Sequence, residues 1–133
     1  DFELDKYYDD VVRYDGSTPG IINIDGIAYA HYFISGVMGR PISGEHPAYS
    51  LLSKLGSSCV AVHLHTTDYC VRTNVHGQKK HGLVAGCYFD YNNGWAGEAN
   101  KLYWRGVIIL KNVNNGDFDP EWVSLDQLRK EYA

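Results

Sequence analysis

The sequence CVAVHLHTTDY, residues 59–69, is an apolar run that ends in two histidines one residue apart. Its Val and Ala residues favour a buried β-strand. Successive side chains of a strand point to opposite faces, so a strand continuing through residue 65 would place His63 and His65 on one side, roughly 6–7 Å apart at Cα. Neutral imidazole is a common zinc ligand and also suits iron, copper and nickel. The spacing predicts either a metal site or two hydrogen-bonded histidines at the end of a strand.

A β-hairpin is predicted upstream of this strand. Residues 21–24 and 27–33 are apolar and aromatic, and the pair Asp25-Gly26 between them is typical of a two-residue turn. His31 falls inside the second strand, where a titratable ring needs a partner. A core histidine bonded to a backbone carbonyl and a metal ligand both remain open for this residue.

Two helices are predicted in the first half of the chain. Residues 1–14 carry apolar side chains at near-helical spacing, which indicates a short amphipathic helix. Residues 47–55 begin with Pro, place leucines on one stripe and are followed by Gly56, a typical helix stop. The Gly- and Pro-rich residues 35–47 before that helix predict a long loop.

The remaining sequence alternates strands with turns and ends in a helix. Strands are predicted at 69–75, 82–89 and 104–113, and the last of these is so apolar that we expect it to be covered on both faces. Ser124 and Gln127 form a capping box for a final helix over 125–132. The pattern predicts an α+β fold: a single strand-rich domain, residues 1–133, with a mixed sheet and two or three short helices.

Composition excludes several classes of function. Apolar residues make up 44% of the chain and charged residues 21%, as in globular domains. The formal charge of −4 provides no basic field for nucleic acid or anionic membrane, so non-specific binding to a phosphate backbone is not the expected activity. No apolar run approaches the ~20 residues of a membrane span. We therefore expect no membrane partner.

The cysteines indicate the cellular compartment of the protein, and the first residue indicates whether the sequence is a whole polypeptide. Cys59, Cys70 and Cys87 are an odd number in strand-like surroundings, which indicates free thiols in a reducing compartment. A cytoplasmic protein is the expectation. The first residue is Asp1 rather than Met, so we interpret the sequence as a piece of a longer polypeptide.

The other three histidines are predicted to be solvent-facing. His46, His76 and His81 lie in or beside Gly-rich and Lys-rich turns. The acidic residues of the N-terminus have the spacing of a solvated helix face, and they are Asp1, Glu3, Asp5, Asp9 and Asp10. Neither Asp68 nor Asp90 stands in a pattern that would bridge two metal ions.

The order of these segments resembles a known family of enzymes. The chain has a histidine in a strand pair, then a loop and helix, then a strand ending in H-x-H, and later Leu83-Val84-Ala85-Gly86 and residues 104–125. This order is similar to the C-terminal half of calcineurin-like metallophosphoesterases. The likeness is greatest to the phage and bacterial branch. It covers the chain from about Ile21 onward and implies the C-terminal half of an αββα sandwich.

The resemblance implies roles for three residues. His31 would be the family's penultimate metal ligand and His63 the first histidine of its Gly-His-x-His motif, both on one divalent ion. His65 would bind a second ion. The ions would be Mn, Zn, Fe or Mg, two of them when the other half is present. Val62 stands where the family has Gly. No catalytic residue is assigned in this chain.

The resemblance also implies what lies outside this sequence. The family's Asp-x-His, Gly-Asp-x-x-Asp and Gly-Asn-His-Asp/Glu motifs supply the bridging carboxylate and other ligands, and they have no counterpart here. The hypothesis is therefore part of a metal-dependent phosphoesterase that hydrolyses phosphomonoesters or phosphodiesters, with nucleotides or nucleic acid as candidate substrates. An N-terminal segment or a second chain would complete it, and this piece alone would be inactive. A homo-oligomer is also compatible with the sequence.

Two alternatives belong to other classes. A non-catalytic binding protein could keep this half-fold without the chemistry, and its 11 Tyr and 3 Trp would suit a recognition surface, although these residues also favour strands. A one-metal hydrolase would use His31, His63 and His65 as a three-histidine site, with all three rings within ~2.0–2.1 Å of one ion.

Overall fold

A five-stranded mixed sheet lies at the centre of the computed structural model, which describes residues 3–133. Its strands, in spatial order, are β1 (Ile22–Ile24), β2 (Ile27–Tyr29), β3 (Cys59–Ala61), β5 (Lys79–Ala85) and β4 (Thr67–Thr73). β2, β3 and β5 run parallel to one another, and both outer strands are antiparallel to their neighbours.

The remaining helices and strands lie outside this sheet. They are α1 (Pro47–Leu55), the antiparallel pair β6 (Gly106–Asn114) and β7 (Asp117–Ser124), and α2 (Leu125–Tyr132), with 3₁₀ turns at Leu4–Lys6 and Gly94–Leu102. The predicted α+β class with a mixed sheet is confirmed.

The first hairpin forms where the turn residues allow it. Ile24 pairs with Ile27 across Asp25 and Gly26, whose φ angles are 49° and 82°. Both turn residues therefore adopt the left-handed conformations that a two-residue hairpin turn needs. The second strand is shorter than predicted, because it ends at Tyr29 and leaves His31 beyond it.

Helix α1 matches its predicted bounds. Leu51 and Leu52 are buried, and Gly56 ends the helix with a φ of 67°. The side chain at the N-cap position makes no capping bond. Instead, the Asp68 carboxylate on β4 accepts a 2.9 Å hydrogen bond from the Ala48 N–H, which ties the helix to the sheet.

Two apolar clusters lie on the two faces of the central sheet. On one face α1 packs with Phe33, Ile42, Cys59, Ala61 and Val84. On the other, Ile27 and Leu83 pack against Phe118 of β7 and the inward side chains of β6. The sheet is thus the middle layer, between a helix and a β-ribbon.

The expectation that residues 104–113 are covered on both faces is wrong. Ile108 and Leu110 face the central sheet, whereas Val107 and Ile109 on the outer face are 36% and 45% exposed. Helix α2 lies beside that outer face and leaves part of it uncovered.

The predicted N-terminal helix is also wrong. Only Leu4–Lys6 form a 3₁₀ turn, residues 3–10 are exposed, and Asp1 and Phe2 lie outside the described residues. An isolated helix of this length is marginal without packing to support it. The carboxylates of Glu3, Asp5, Asp9 and Asp10 are solvated as expected, but not along a helix.

Other boundaries shift by a few residues. The strands predicted at 69–75 and 82–89 are Thr67–Thr73 and Lys79–Ala85, because β4 and β5 pair as one regular hairpin. Ser124 accepts from the Gln127 N–H at 3.1 Å, as the capping box predicts, while the Gln127 side chain instead bonds Glu131.

His81 is not solvent-facing, contrary to the sequence prediction. Only 3% of it is exposed, because it lies on the inner face of β5 beside Leu83 and stacks on Phe118 at 4.2 Å. Its ring bonds the Tyr69 hydroxyl at 2.6 Å and the Asp117 carboxylate at 2.6 Å. These bonds connect the central sheet to the β-ribbon.

The three cysteines are free thiols. Burial raises the pKa of Cys59 to about 12. Within residues 3–133, none of the helices has the length and apolar character needed to cross a bilayer.

We predict that Gly82→Ala destabilises the fold by about 1–3 kcal/mol, since overpacking of a core has costs in this range. A Cβ at position 82 would lie 2.4 Å from the Ala48 carbonyl oxygen and push α1 off the sheet. Gly94→Ala is the control, because nothing lies within 4 Å of its Cβ position. Equal unfolding free energies for the two variants in urea would contradict this account.

We also predict a pH-dependent role for the Asp117 carboxylate. The hydrogen bond from His81 is the main cause that lowers the pKa of Asp117. A carboxyl group with a lowered folded-state pKa stabilises the fold above its unfolded pKa of about 4, and this contribution is lost as pH falls through the folded value.

The test compares Asp117→Asn with wild type by urea unfolding at pH 7 and pH 3. The stability difference should be present at pH 7 and shrink at pH 3. The exposed Asp15→Asn variant is the control and should match wild type at both values. A difference that grows on acidification would contradict the assignment.

Candidate metal centre

Two of the three predicted ligands follow the ends of neighbouring parallel strands. His31 lies two residues beyond β2 and His63 two residues beyond β3. Parallel strands place their carboxyl ends at the same edge of a sheet, which is where ligands of open α/β sheets commonly bind. The pairing of Tyr29 with Val60 therefore brings the two histidines to one place.

The backbone fixes this arrangement. The carbonyl oxygen of His31 accepts from the N–H of Val62 at 3.1 Å and from the N–H of His63 at 2.9 Å. One carbonyl thus holds the start of the turn that carries the second histidine. This contact extends the strand pairing past the end of β3.

The two imidazoles contact each other directly. Nε2 of His31 and Nδ1 of His63 are 3.0 Å apart, and the ring planes are inclined by 80°. Both side chains are exposed. Two nitrogens that each bind one ion at 2.0–2.1 Å, with an angle of 90–110° between them, lie about 2.9–3.4 Å apart. In this structure the contact is a hydrogen bond, and the tautomers of the two rings decide which nitrogen donates. The same separation also fits two ligands of one ion.

His65 does not share a strand face with His63, so the strand geometry expected from H-x-H is wrong. Strand β3 ends at Ala61, and the His65 N–H donates to the Val62 carbonyl at 3.2 Å to close a turn. His65 has a φ of 64°, which is uncommon for a residue other than glycine. The two rings have different neighbours, since His63 contacts His31 and Tyr32 whereas His65 contacts other aromatic side chains.

The His65 ring is held by aromatic side chains. Its centroid lies 5.2 Å from that of Phe89 and 4.9 Å from that of Tyr103, both edge to face. The His65 carbonyl accepts from the Trp104 N–H at 3.0 Å. These aromatic partners could not be predicted from local sequence patterns, because they come from segments 24 and 38 residues away along the chain.

The electrostatics favour neutral imidazoles. Partial burial lowers the pKa of His63, and the neighbouring His31 and His65 lower it further. The pKa of His65 is lowered by burial and by His31. Metal ions bind the neutral ring, so these effects favour the metal-binding protonation state of His63 and His65 near neutral pH.

A largely apolar groove of about 420 Å³ opens beside the histidines. His31, His65 and Val62 line one side, and Phe89 and Val107 line part of the rest. The absence of a side chain at Gly86 allows this residue to lie close to Trp104, because a Cβ there would lie 2.5 Å from the Trp104 carbonyl oxygen. The groove is bounded by the ends of β3 and β5 and by the start of β6.

The described residues do not contain a complete metal site. Nowhere in residues 3–133 are three His, Cys, Asp or Glu side chains grouped so that they could hold one ion. Asp68 caps α1, and Asp90 forms an ion pair with Arg129. The three-histidine, one-metal arrangement is therefore not assembled, and His31 with His63 is the pair that fits a metal.

The remaining histidines divide into two kinds. His46 and His76 are exposed, as predicted. His81 belongs instead to the buried network with Tyr69 and Asp117. The period-two alternation of β5 could have revealed this position, since residue 81 shares a strand face with the apolar Leu83.

The chain matches no protein-family model, and neither a curated protein nor a solved structure is significantly similar to it. The likeness to metallophosphoesterases therefore remains a prediction from the sequence motifs.

In the metal-free protein we predict that His63 titrates below the usual range for histidine. His31→Ala should raise its pKa partway, because burial, the larger cause, would remain. Two-dimensional NMR of the imidazole resonances between pH 4 and 8 measures both values. A His63 pKa at or above the usual value of about 6.5 would contradict the proposed environment.

Proposed function

We propose that His31 and His63 ligate a divalent metal ion, and that this chain is the histidine-bearing part of a metal-dependent phosphoesterase. The observation that carries the proposal is the 3.0 Å separation of Nε2 of His31 from Nδ1 of His63. Two accessible imidazoles that meet at the carboxyl edge of a parallel strand pair have the chemistry and spacing of metal ligands.

His65 would contribute to a second ion. It lies in the same turn as His63, close enough for His31 to affect its pKa, and its ring direction is set by Phe89 and Tyr103. In two-metal hydrolases, ions ~3.5–4 Å apart supply an activated water and stabilise the attacking and leaving oxygens. This chain would orient the ions through three imidazoles anchored on backbone hydrogen bonds.

Carboxylate ligands would come from outside these residues. Hard oxygen ligands and a bridging group are needed for Mn²⁺ or Mg²⁺, and Asp68 and Asp90 are engaged elsewhere. We propose that a further segment of the polypeptide, or a second chain, occupies the groove beside His31 and His65 and brings these carboxylates. The groove's apolar lining suits such packing.

The substrate class follows from the sequence resemblance. Phosphomonoesters or phosphodiesters, including nucleotides and nucleic acid, are the proposed substrates. The chain of 133 residues by itself would bind metal weakly and would not hydrolyse them, because each ion would lack its bridging ligand.

A non-catalytic binding protein is the second candidate. The observation that favours it is a pair of adjacent, exposed apolar side chains, Val37 at 102% and Met38 at 72%. Exposed apolar patches commonly mark interaction sites. A folded monomer without affinity for Mn²⁺ or Zn²⁺ would favour this function over the first.

Calorimetric titration of the chain with Zn²⁺ and Mn²⁺ tests the metal site. We expect one ion per chain. His31→Ala and His63→Ala should each weaken binding at least about tenfold, since loss even of an outer-shell partner of a metal ligand can cost 10–100-fold in affinity.

His76→Ala provides the matched control, because His76 is exposed on the turn between β4 and β5 and should leave affinity unchanged. His65→Ala should also retain binding in the isolated chain, since His65 is assigned to the other ion. Affinity equal to wild type in both His31→Ala and His63→Ala would exclude the proposed pair.

A further inference from the structure

The hairpin of β4 and β5 differs in charge from the rest of the chain. Residues 69–89 contain three of the twelve Lys and Arg residues and none of the sixteen Asp and Glu residues. This segment therefore has a formal charge of +3, whereas the remainder has −7. Exposed charges are screened within about 8 Å at physiological salt, so the local charge decides what this surface attracts.

The hairpin projects into solvent with a well-defined tip. All residues from 71 to 79 are exposed, and Val75 at the tip is 94% exposed. The Asn74 side-chain oxygen accepts from the N–H groups of His76 at 2.9 Å and Gln78 at 3.0 Å. These bonds fix the turn, so the surface is preformed.

Two cations lie directly opposite each other on this hairpin. Arg72 of β4 is paired in register with Lys80 of β5. Within the described part of the chain, neither side chain forms an ion pair with a carboxylate. Like charges directly opposite on antiparallel strands are destabilising. The pairing of these two cations therefore opposes folding, and only Arg72 has a compensating contact, with the Tyr49 ring.

These cations line a pocket of about 180 Å³ between the hairpin and α1. Ser53 contributes a hydroxyl group, and the Arg72 guanidinium lies over the Tyr49 ring, 5.6 Å from its centroid. The C-terminus of α1 already has Lys54 in its last turn and Gly56 as its cap, so it does not require Arg72 or Lys80.

We propose that this pocket binds a phosphate of a nucleic-acid backbone, with Arg72 and Lys80 on either side of the phosphate. Guanidinium and ammonium groups are the usual phosphate contacts. Basic side chains interleaved with aromatic rings are typical of surfaces that follow nucleic-acid strands, and Tyr49 with Arg72 provides such a stack.

The site is separate from the histidines. Lys80 is the second residue of β5, whereas His63 follows the opposite, carboxyl end of the parallel strand β3. A strand of seven residues spans about 20 Å, which is the approximate distance between the two edges. The proposal therefore does not rest on metal binding. EDTA in the assay removes free divalent ions, so any DNA binding that is measured does not depend on the histidine site.

The test is fluorescence anisotropy of labelled single-stranded and duplex DNA, measured in EDTA over a series of salt concentrations. Arg72→Gln/Lys80→Gln should weaken binding about tenfold or more at low salt and reduce the slope of log K against log salt by about one unit, as loss of one phosphate contact does. Lys80→Arg keeps the charge and should retain binding.

Lys130→Gln, on the exposed α2, is the matched control and should bind as wild type does. The double variant should have a thermal midpoint close to that of wild type, since it removes both a like-charge pair and the Arg72–Tyr49 contact, whose effects on stability are opposite. The proposal is overturned if wild type and the double variant bind DNA with equal affinity, or if Lys130→Gln loses as much affinity as the double variant does. It is also overturned if polyglutamate displaces the labelled DNA as well as unlabelled DNA does. A large drop in the thermal midpoint would instead assign the two cations a structural role.

Discussion

The parallel pairing of β2 with β3 is the constraint on which the candidate site depends. It continues beyond the strands through one carbonyl, that of His31, which accepts from Val62 and His63. Because of this contact, two histidines separated by 32 positions meet with ring nitrogens 3.0 Å apart. A shift of this register by one residue would turn the side chains of one strand to the other face and move its histidine away from its partner.

The hydrogen-bond network around His81 connects two layers of the structure and is separate from the His31–His63 contact. His81 is buried between Phe118 and Tyr69, and its two nitrogens contact a hydroxyl and a carboxylate from different layers. A buried ring with both nitrogens bonded fixes how the β-ribbon sits on the central sheet. The molecule thus separates histidines for packing from histidines that remain accessible at the sheet edge.

Sequence patterns predicted those turns, helix bounds and caps that depend on interactions between residues close together in the chain. The Asp25-Gly26 turn, the bounds of α1 with its Gly56 stop, and the Ser124 cap all depend on residues within one or two turns of chain. The end of β3 at Ala61 could not be predicted in this way, because the His31 carbonyl and Trp104 determine it from far along the chain. The single exposed face of β6 likewise depends on how much of it α2 covers. Motif order predicted His31 and His63 as ligands of one ion, and their ring nitrogens lie 3.0 Å apart. Metal binding by this pair stays a prediction.

The most direct test of the metal assignment is anomalous diffraction from crystals of the chain soaked in Zn²⁺ or Mn²⁺. The account predicts a single strong anomalous peak about 2.0–2.2 Å from both Nε2 of His31 and Nδ1 of His63. Such a peak would establish the pair as ligands and give the direction from which the outstanding carboxylates must approach. An empty position between these nitrogens in crystals that bind the ion at other histidines would contradict the account.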